Sequence, residues 1–179
     1  MPSLDKQRRK KLQKKIDREY DYRTFCDRDV YVKATGRSGR GLFANRQFFP
    51  GELVVEVKGK LLLQKDYGAS TYVMELNRKW YLEPDIPGAF ANHSCNPNCE
   101  LIELTDHSMG IVSICNIEPN IEISYDYQWP ALSWIPRCNC GAPTCRGWVV
   151  AENQVAKMRR LSNKQNGSKN GSKNGSKKK

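Results

Sequence analysis

The sequence predicts a mainly β fold built of several small sheets. From Val30 onwards, short apolar runs alternate with turn residues, and this spacing is typical of many short strands. Pro50-Gly51 and Pro119-Asn120 each come directly before such a run, and Gly and Asn both tolerate the left-handed backbone of tight turns. The predicted strands cover residues 30–34, 41–44, 52–57, 61–63, 72–76, 80–82, 101–104, 111–115 and 121–124.

The two ends of the chain are strongly basic, whereas its body is not. Of the formal charge of +11, residues 1–20 contribute +5 and residues 151–179 contribute +8, which leaves −2 for residues 21–150. The basic termini are therefore candidates for nucleic-acid contact, and the mildly acidic body is suited to a basic protein substrate. Basic ends that serve only solubility are the alternative.

The same ends carry weak structural signals. Residues 1–20 predict either a short basic helix or a disordered arm, and residues 151–161 predict a basic helix. The Asn-Gly-Ser-Lys units from Asn166 to Lys177 have the low complexity of disordered segments. No apolar run approaches the roughly 18 residues of a membrane span, so no membrane contact is expected.

The cysteines indicate a metal site. Cys138, Cys140 and Cys145 form the pattern C-x-C-x4-C, which supplies three of the four soft ligands that a structural zinc ion requires. The chain has seven cysteines, and this odd, crowded set suits a metal better than a disulfide framework. The remaining cysteines are expected to be small buried apolar residues, the usual state of a free thiol: Cys26, Cys99 and Cys115.

Two polar segments lie at the centre of the chain. Residues 89–99 read Ala-Phe-Ala-Asn-His-Ser-Cys-Asn-Pro-Asn-Cys, a composition that fits neither an amphipathic helix nor an ordinary strand. Residues 122–127 place Tyr125 and Tyr127 two positions apart, so on an extended chain both phenols point to one face. Two strand tyrosines that only pack their rings are the alternative.

A glycine-rich segment precedes them at residues 36–44. Its glycines allow the backbone to approach a ligand closely and to expose N–H and C=O groups. A simple tight turn is the alternative for this segment alone.

In this order and at these separations, the segments resemble the SET-domain protein lysine methyltransferases with their cysteine-rich post-SET tail. The resemblance covers about residues 30–150. It implies a SET-domain fold of several small curved sheets with a pseudoknot-like core, plus a zinc-bound post-SET segment. The implied boundaries are a basic arm at 1–29, the SET domain at 30–135, the post-SET segment at 136–150, and a basic helix with a disordered tail at 151–179.

The resemblance also implies roles for individual residues. Tyr127 matches the catalytic tyrosine, and Tyr125 matches a position where Phe and Tyr set the number of methyl groups; Tyr there implies mainly mono- or dimethylation. Cys95 is implied as the fourth zinc ligand, and Trp129 or Trp134 as part of the lysine channel. Residues expected to hold S-adenosylmethionine are Gly39, Arg40, Gly41, Leu42, Tyr72, Asn92, His93 and Trp148.

The implied function is a protein lysine N-methyltransferase acting on a histone tail in the nucleus or on chromatin. A cytoplasmic enzyme acting on another basic protein, such as a ribosomal protein, is one alternative. A catalytically silent SET-like module that binds a basic peptide or nucleic acid is another, because Ala89 stands where the family usually has Arg.

Overall fold

The computed structural model describes residues 6–21, 24–37, 39–66, 72–77 and 79–171. It contains two α-helices, α1 (Lys6–Asp21) and α2 (Val155–Gly171), and ten strands within these ranges. The strands are β1 (Val30–Ala34), β2 (Arg40–Ala44), β3 (Leu53–Val57), β4 (Gly59–Leu63), β5 (Met74–Leu76), β6 (Trp80–Pro84), β7 (Asn92–His93), β8 (Cys99–Thr105), β9 (Ser108–Ser113) and β10 (Ser124–Tyr125). Short 3-10 turns lie at Gln64–Asp66, Gly88–Phe90 and Glu152–Gln154.

The chain divides into two compact units. The first comprises Met1–Asn92 and Pro97–Tyr125, and the second comprises His93–Asn96 and Asp126–Lys179. The chain passes between the units three times: within β7, between Asn96 and Pro97, and between Tyr125 and Asp126.

The first unit is built of small sheets. Strands β1 and β2 form a hairpin that pairs Val30 with Ala44, and β4, β6 and β5 lie side by side in that order. A larger sheet places β9 between β3 and β8, and β10 runs parallel to β8 at a single pair, Tyr125 with Cys99. The mainly β class predicted from the sequence is confirmed. Fully buried apolar side chains fill this unit, among them Leu42, Phe48, Leu76, Leu82, Ile111, Ile117 and Ile123.

The predicted turns are confirmed by their backbone angles. Gly51 has φ +86° and Asn120 has φ +69°, and each lies directly before a segment of the first unit's β structure. The last predicted strand, 121–124, is largely replaced by isolated contacts: Phe43 bridges Glu122, and the N–H of Ile123 donates to the carbonyl of Leu42 at 2.8 Å.

The second unit has a small apolar core, to which α2 contributes one residue. Its buried residues are Ala131, Ile135, Trp148, Val149, Val150 and Met158. Met158 belongs to α2, which begins within the predicted 151–161 helix and extends through Gly171 into the repeat segment. Disorder was therefore wrongly expected for residues 166–171, because a helix already nucleated by packing gains one hydrogen bond for each further residue. Residues 172–177 lie outside the described ranges.

The structure decides between the two alternatives predicted for the N-terminal segment, a basic helix or a disordered arm. The basic segment at the N-terminus is a helix over Lys6–Asp21, whereas residues 1–5 lie outside the described ranges.

The three cysteines outside the predicted metal site differ in burial. Cys99 is buried as expected, but Cys26 and Cys115 are exposed, because they lie in the loops that precede β1 and follow β9. Within the described ranges, neither α1 nor α2 has the length and apolar composition needed to cross a lipid bilayer.

Candidate active site and metal centre

The first unit holds the glycine-rich segment against polar side chains. The Nδ2 atom of Asn92 donates to the carbonyl of Arg40 at 3.0 Å and to Oε1 of Glu122 at 2.7 Å. A Cβ atom added to Gly41 would lie 2.6 Å from that Glu122 oxygen and 3.1 Å from Asn92 Nδ2. Only glycine allows this close approach, so the backbone at Gly41 is fixed beside Asn92.

Asn98 fixes the segment that contains Glu122. Its Nδ2 donates to the carbonyl of Glu122 at 2.8 Å, and its Oδ1 accepts from the N–H of Ser124 at 2.9 Å. Asn92 and Asn98 are thus both tied to the 122–124 segment within the first unit, and the pseudoknot-like core stays a prediction. The sequence analysis assigned no role to Asn98 or Glu122, although Asn98 was part of the quoted Asn-Pro-Asn pattern.

The structure also locates the other residues of the first unit that were predicted to contact the cofactor or the reacting groups. Gly39 has φ +78°, which a residue with a side chain rarely adopts, and Leu42 is fully buried in the core. Tyr72 is half-buried, with its ring 4.6 Å from that of Tyr20 and its hydroxyl 3.3 Å from Asp17. Tyr125 is buried on β10. Their cofactor and catalytic roles stay predictions.

The chemistry of this cradle fits S-adenosylmethionine. The ligand carries a sulfonium and an ammonium charge, and the cradle offers the Glu122 carboxylate and the carbonyl of Arg40 beside Asn92. Backbone held open by glycine supplies further donors and acceptors at Gly39 and Gly41.

In the second unit, Tyr127 lies within a chain of aromatic rings. Its ring centroid is 5.3 Å from that of His93 and 5.1 Å from that of Trp129, and Trp129 is in turn 5.5 Å from Trp134. Rings at these separations and inclined angles pack favourably. Trp148 is buried in the core of this unit, with the guanidinium of Arg137 3.6 Å above its ring. Its contact with adenine stays a prediction.

His93 is held neutral. Burial lowers the pKa of His93 to about 4, against the opposing attraction of Asp126. The N–H of Tyr127 points to Nδ1 of His93 at 3.3 Å, and the same Nδ1 lies 3.5 Å from Oδ1 of Asp126. The other ring nitrogen, Nε2, lies 3.4 Å from Sγ of Cys95, so the imidazole is in contact with a thiol of the cysteine cluster.

Asp126, which separates the two tyrosines in sequence, is paired with Arg146. The side chains of both residues are about 15 % exposed, and the two groups meet through two contacts of 2.7 Å. Hydrogen bonding to Asp126 raises the pKa of Arg146, so its guanidinium stays charged beside the carboxylate. The sequence analysis missed this pair, since a single Asp and a single Arg carry no signal of their own in the sequence.

Four thiols converge in the second unit. The Sγ atoms of Cys95, Cys138, Cys140 and Cys145 all lie within 4.8 Å of one another, and those of Cys95 and Cys138 are 3.8 Å apart. Ligands about 2.3 Å from a tetrahedral zinc ion lie about 3.8 Å from each other, so the cluster fits that ion. The set predicted from the sequence, including Cys95, is brought together.

Hydrogen bonds around the thiols favour their metal-binding form. The N–H of Arg146 donates to Sγ of Cys95, and the N–H of Gly147 donates to Sγ of Cys145, each at 3.4 Å. Burial opposes ionisation of Cys140, but hydrogen bonds from the backbone of Cys95 and Ala142 outweigh it and lower the pKa of Cys140 to about 6. Burial raises the pKa of Cys95 and that of Cys138.

Comparison with known proteins agrees with this architecture. The SET domain family model matches residues 39–128, which is half of the chain, and the chain belongs to the SET-domain family. This result confirms the resemblance read from the sequence.

Among the similar proteins, histone-lysine N-methyltransferase Set2 of Drosophila melanogaster is 31% identical over 139 residues, which cover 68% of this chain and 6% of that protein. Histone-lysine N-methyltransferase ASHH1 of Arabidopsis thaliana is 30% identical over 142 residues, or 69% of this chain and 28% of that protein. The chain thus spans less than a third of the length of either relative. A crystal structure of KRYPTONITE shares the fold, with a TM-score of 0.59 and 23% identity over 67% of this chain and 29% of that one.

Proposed function

We propose that this protein is an S-adenosylmethionine-dependent protein lysine N-methyltransferase that acts on a histone tail and forms mainly mono- or dimethyl-lysine. The observation that carries the proposal is the surroundings of Tyr127. The rings of His93 and Trp129 pack beside it, and the same unit contains the Arg146–Asp126 ion pair and the four clustered thiols. Set2 and ASHH1 are histone-lysine N-methyltransferases, and KRYPTONITE was crystallised with an H3(1-15) peptide and SAH; both facts support the reaction and the substrate.

The electrostatics of the second unit suit the nucleophile. A lysine amine attacks only when unprotonated, and an apolar aromatic site without a free anion disfavours its ammonium form. His93 is neutral at pH 7 and Asp126 is compensated by Arg146, so neither group stabilises an ammonium ion. We infer that Trp129 and Trp134 desolvate the lysine side chain and that the Tyr127 hydroxyl orients its nitrogen.

S-adenosylmethionine, when bound, would supply a methyl group activated by its sulfonium for transfer to the unprotonated amine. Asn92, Glu122 and the backbone at Gly39–Gly41 would hold that cofactor, with Arg40, Leu42, Tyr72, His93 and Trp148 as further predicted contacts. Tyr125 would limit the room for a second or third methyl group. The proposal also retains the predicted boundaries of the SET domain, 30–135, and of the post-SET segment, 136–150.

Zinc would be held by Cys95, Cys138, Cys140 and Cys145 and would supply a structural cross-link. The N–H groups of Arg146 and Gly147 then orient two of the thiolates. Because Arg146 also holds Asp126, next to Tyr127, we infer that metal binding supports the position of the catalytic hydroxyl.

The proposal is tested by mass spectrometry of lysine methylation. Core histones, nucleosomes and a ribosomal protein mixture are incubated with S-adenosylmethionine and the wild-type protein or Tyr127→Phe. We expect methylated histone lysines, and a loss of about 100-fold or more in Tyr127→Phe, a size typical of a misoriented reacting group.

Tyr31→Phe is the matched control, because its hydroxyl bonds Asn120 at the surface of the first unit, at 2.9 Å. It should keep full activity. Methylation of ribosomal proteins alone would indicate a ribosomal substrate and a cytoplasmic enzyme, in place of the proposed histone substrate and nuclear location. Absence of both methylation and cofactor binding would favour the silent module that Ala89 suggests.

A further inference from the structure

Helix α1 carries a face of exposed cations. At about 100° per residue, five basic side chains fall within an arc of about 140° and span about 12 Å along the helix axis. We call this set the basic face; all its members are exposed: Lys10, Lys11, Lys14, Lys15 and Arg18. The acidic residues Asp17 and Glu19 fall outside the arc. Between Lys10 and Arg18 this arc contains basic residues only, and the next helical position within it is that of Asp21, one turn further on.

The C-terminal end of α1 is anchored to the first unit. The Tyr20 hydroxyl donates to the carbonyl of Pro84 at 2.9 Å, and the Tyr20 ring lies 4.6 Å from that of Tyr72 and 5.9 Å from that of Phe90. Asp17, three residues before Tyr20, accepts from the Tyr72 hydroxyl at 3.3 Å. Tyr20 lies about 150° from the centre of the basic face and Asp17 about 90° from it, so the anchoring contacts leave the centre of that face uncovered.

We propose that the basic face of α1 binds the phosphate backbone of double-stranded DNA. Duplex DNA carries one negative charge per about 1.7 Å of its axis, so the 12 Å stripe lies along about seven phosphates. A charge array of this length exceeds what one small anion can occupy. Because the helix is anchored, less ordering entropy is lost on binding than for a disordered arm.

A membrane surface is a weaker match for this helix. A helix that lies in a bilayer interface inserts an apolar face among the acyl chains. In α1 the ring of Tyr20 is packed against Tyr72 and Phe90, and Ile16 is half-buried, so these apolar groups are already committed. The inference concerns binding alone and is independent of whether methyl transfer occurs.

The test is the salt dependence of DNA binding by the full chain. Fluorescence anisotropy with a labelled 20-base-pair duplex, without cofactor, gives the association constant between 50 and 200 mM KCl. Because each phosphate contact contributes about 0.9 to the slope of log K against log salt, replacement of Lys10, Lys11, Lys14 and Lys15 by Gln should reduce the slope by about 3 to 4. The same four positions changed to Arg should keep it.

A second control neutralises the exposed cations of α2, Lys157→Gln with Arg159→Gln and Arg160→Gln. This variant should lose less of the slope than the α1 variant. The proposal would be overturned by an unchanged salt slope in the α1 variant. It would also be overturned if the α1 and α2 variants lost the same amount of slope for each charge removed. Equal binding of polyglutamate or of anionic phospholipid vesicles at 150 mM salt would overturn the assignment to DNA.

The anchor is tested by Tyr20→Ala. All cations remain, so the salt slope should persist while the affinity falls several-fold, because the helix must then be ordered on binding. Tyr31→Ala, in the β1–β2 hairpin with its hydroxyl bonded to Asn120, should leave the affinity unchanged. Unaltered DNA affinity in Tyr20→Ala would overturn the role of the anchor.

Discussion

Arg146 and Asp126 form a two-point ion pair, in which Nη1 and Nη2 of the arginine each lie 2.7 Å from a different oxygen of the carboxylate. Arg146 also donates its backbone N–H to Cys95, and Asp126 directly precedes Tyr127. One residue thus connects a thiol of the metal cluster, through its backbone N–H, with the segment that carries the proposed catalytic hydroxyl, through its guanidinium.

Arg146→Lys should lower the free energy of unfolding by about 1–3 kcal/mol, because a single ammonium cannot reproduce the two parallel contacts and the carboxylate remains half-satisfied in a buried setting. The measurement is urea denaturation at saturating zinc. The control Arg159→Lys, on the exposed surface of α2, should change the free energy of unfolding by less than about 0.5 kcal/mol. In a double-mutant cycle with Asp126→Asn, a coupling energy near zero would count against the pair.

Metal analysis should give one zinc ion per chain, held by the four thiols. Cys145→Ser should lose the ion and lower the melting temperature, because the cluster then has three soft ligands. Cys115→Ser is the matched control, since that thiol is exposed and lies outside the cluster. Full zinc retention in a Cys95→Ser variant would remove Cys95 from the ligand set.

Gly41→Ala should weaken S-adenosylmethionine binding by about tenfold or more. Its new methyl group would lie 2.6 Å from Glu122 and 2.7 Å from Thr35, so the cradle must shift. Isothermal titration calorimetry gives the dissociation constant. Gly36→Ala should bind normally, because nothing lies within 4 Å of a Cβ placed there. Equal affinity in the two variants would show that the cofactor does not depend on this close approach.

Tyr125→Phe should shift the products towards trimethyl-lysine, because removal of the hydroxyl leaves more room for a methylated amine. The distribution of mono-, di- and trimethylated peptide is read by mass spectrometry at matched turnover. An identical distribution in wild type and variant would refute the role of Tyr125 in setting the methylation degree. The buried position of its ring makes the conservative change to Phe the appropriate one.

Much of the architecture could be predicted from local pattern. The hairpin strand at Val30–Ala34 was placed to the residue, and the left-handed turn at Asn120 followed from its chemistry. The two-residue strand Asn92–His93 was not predicted, because no periodicity can be read from two polar residues. The short strand Ser124–Tyr125 likewise depends on pairing with the distant Cys99.

The thiol ligands could be predicted only in part from spacing. The sequence pattern supplied three thiols, and Cys95 was named through the family resemblance, since it lies 43 residues before Cys138. The Arg146–Asp126 pair and the Glu122–Asn92 contact could not be predicted, because such pairs depend on segments that meet only in the folded chain. Polar partners of this kind have no periodic signature in the sequence.

The separation of Cys95 from Cys138 gives the metal a further effect, on the unfolded chain. With zinc bound to both thiols, the intervening residues form a closed loop that contains β8, β9 and β10. By the loop-closure relation used for disulfides, a cross-link over about 43 residues reduces the entropy of an unfolded chain by an amount worth about 4 kcal/mol at 25 °C. Zinc would thus act as a reversible ring closure around three strands, and its release would restore the conformational freedom of the whole segment.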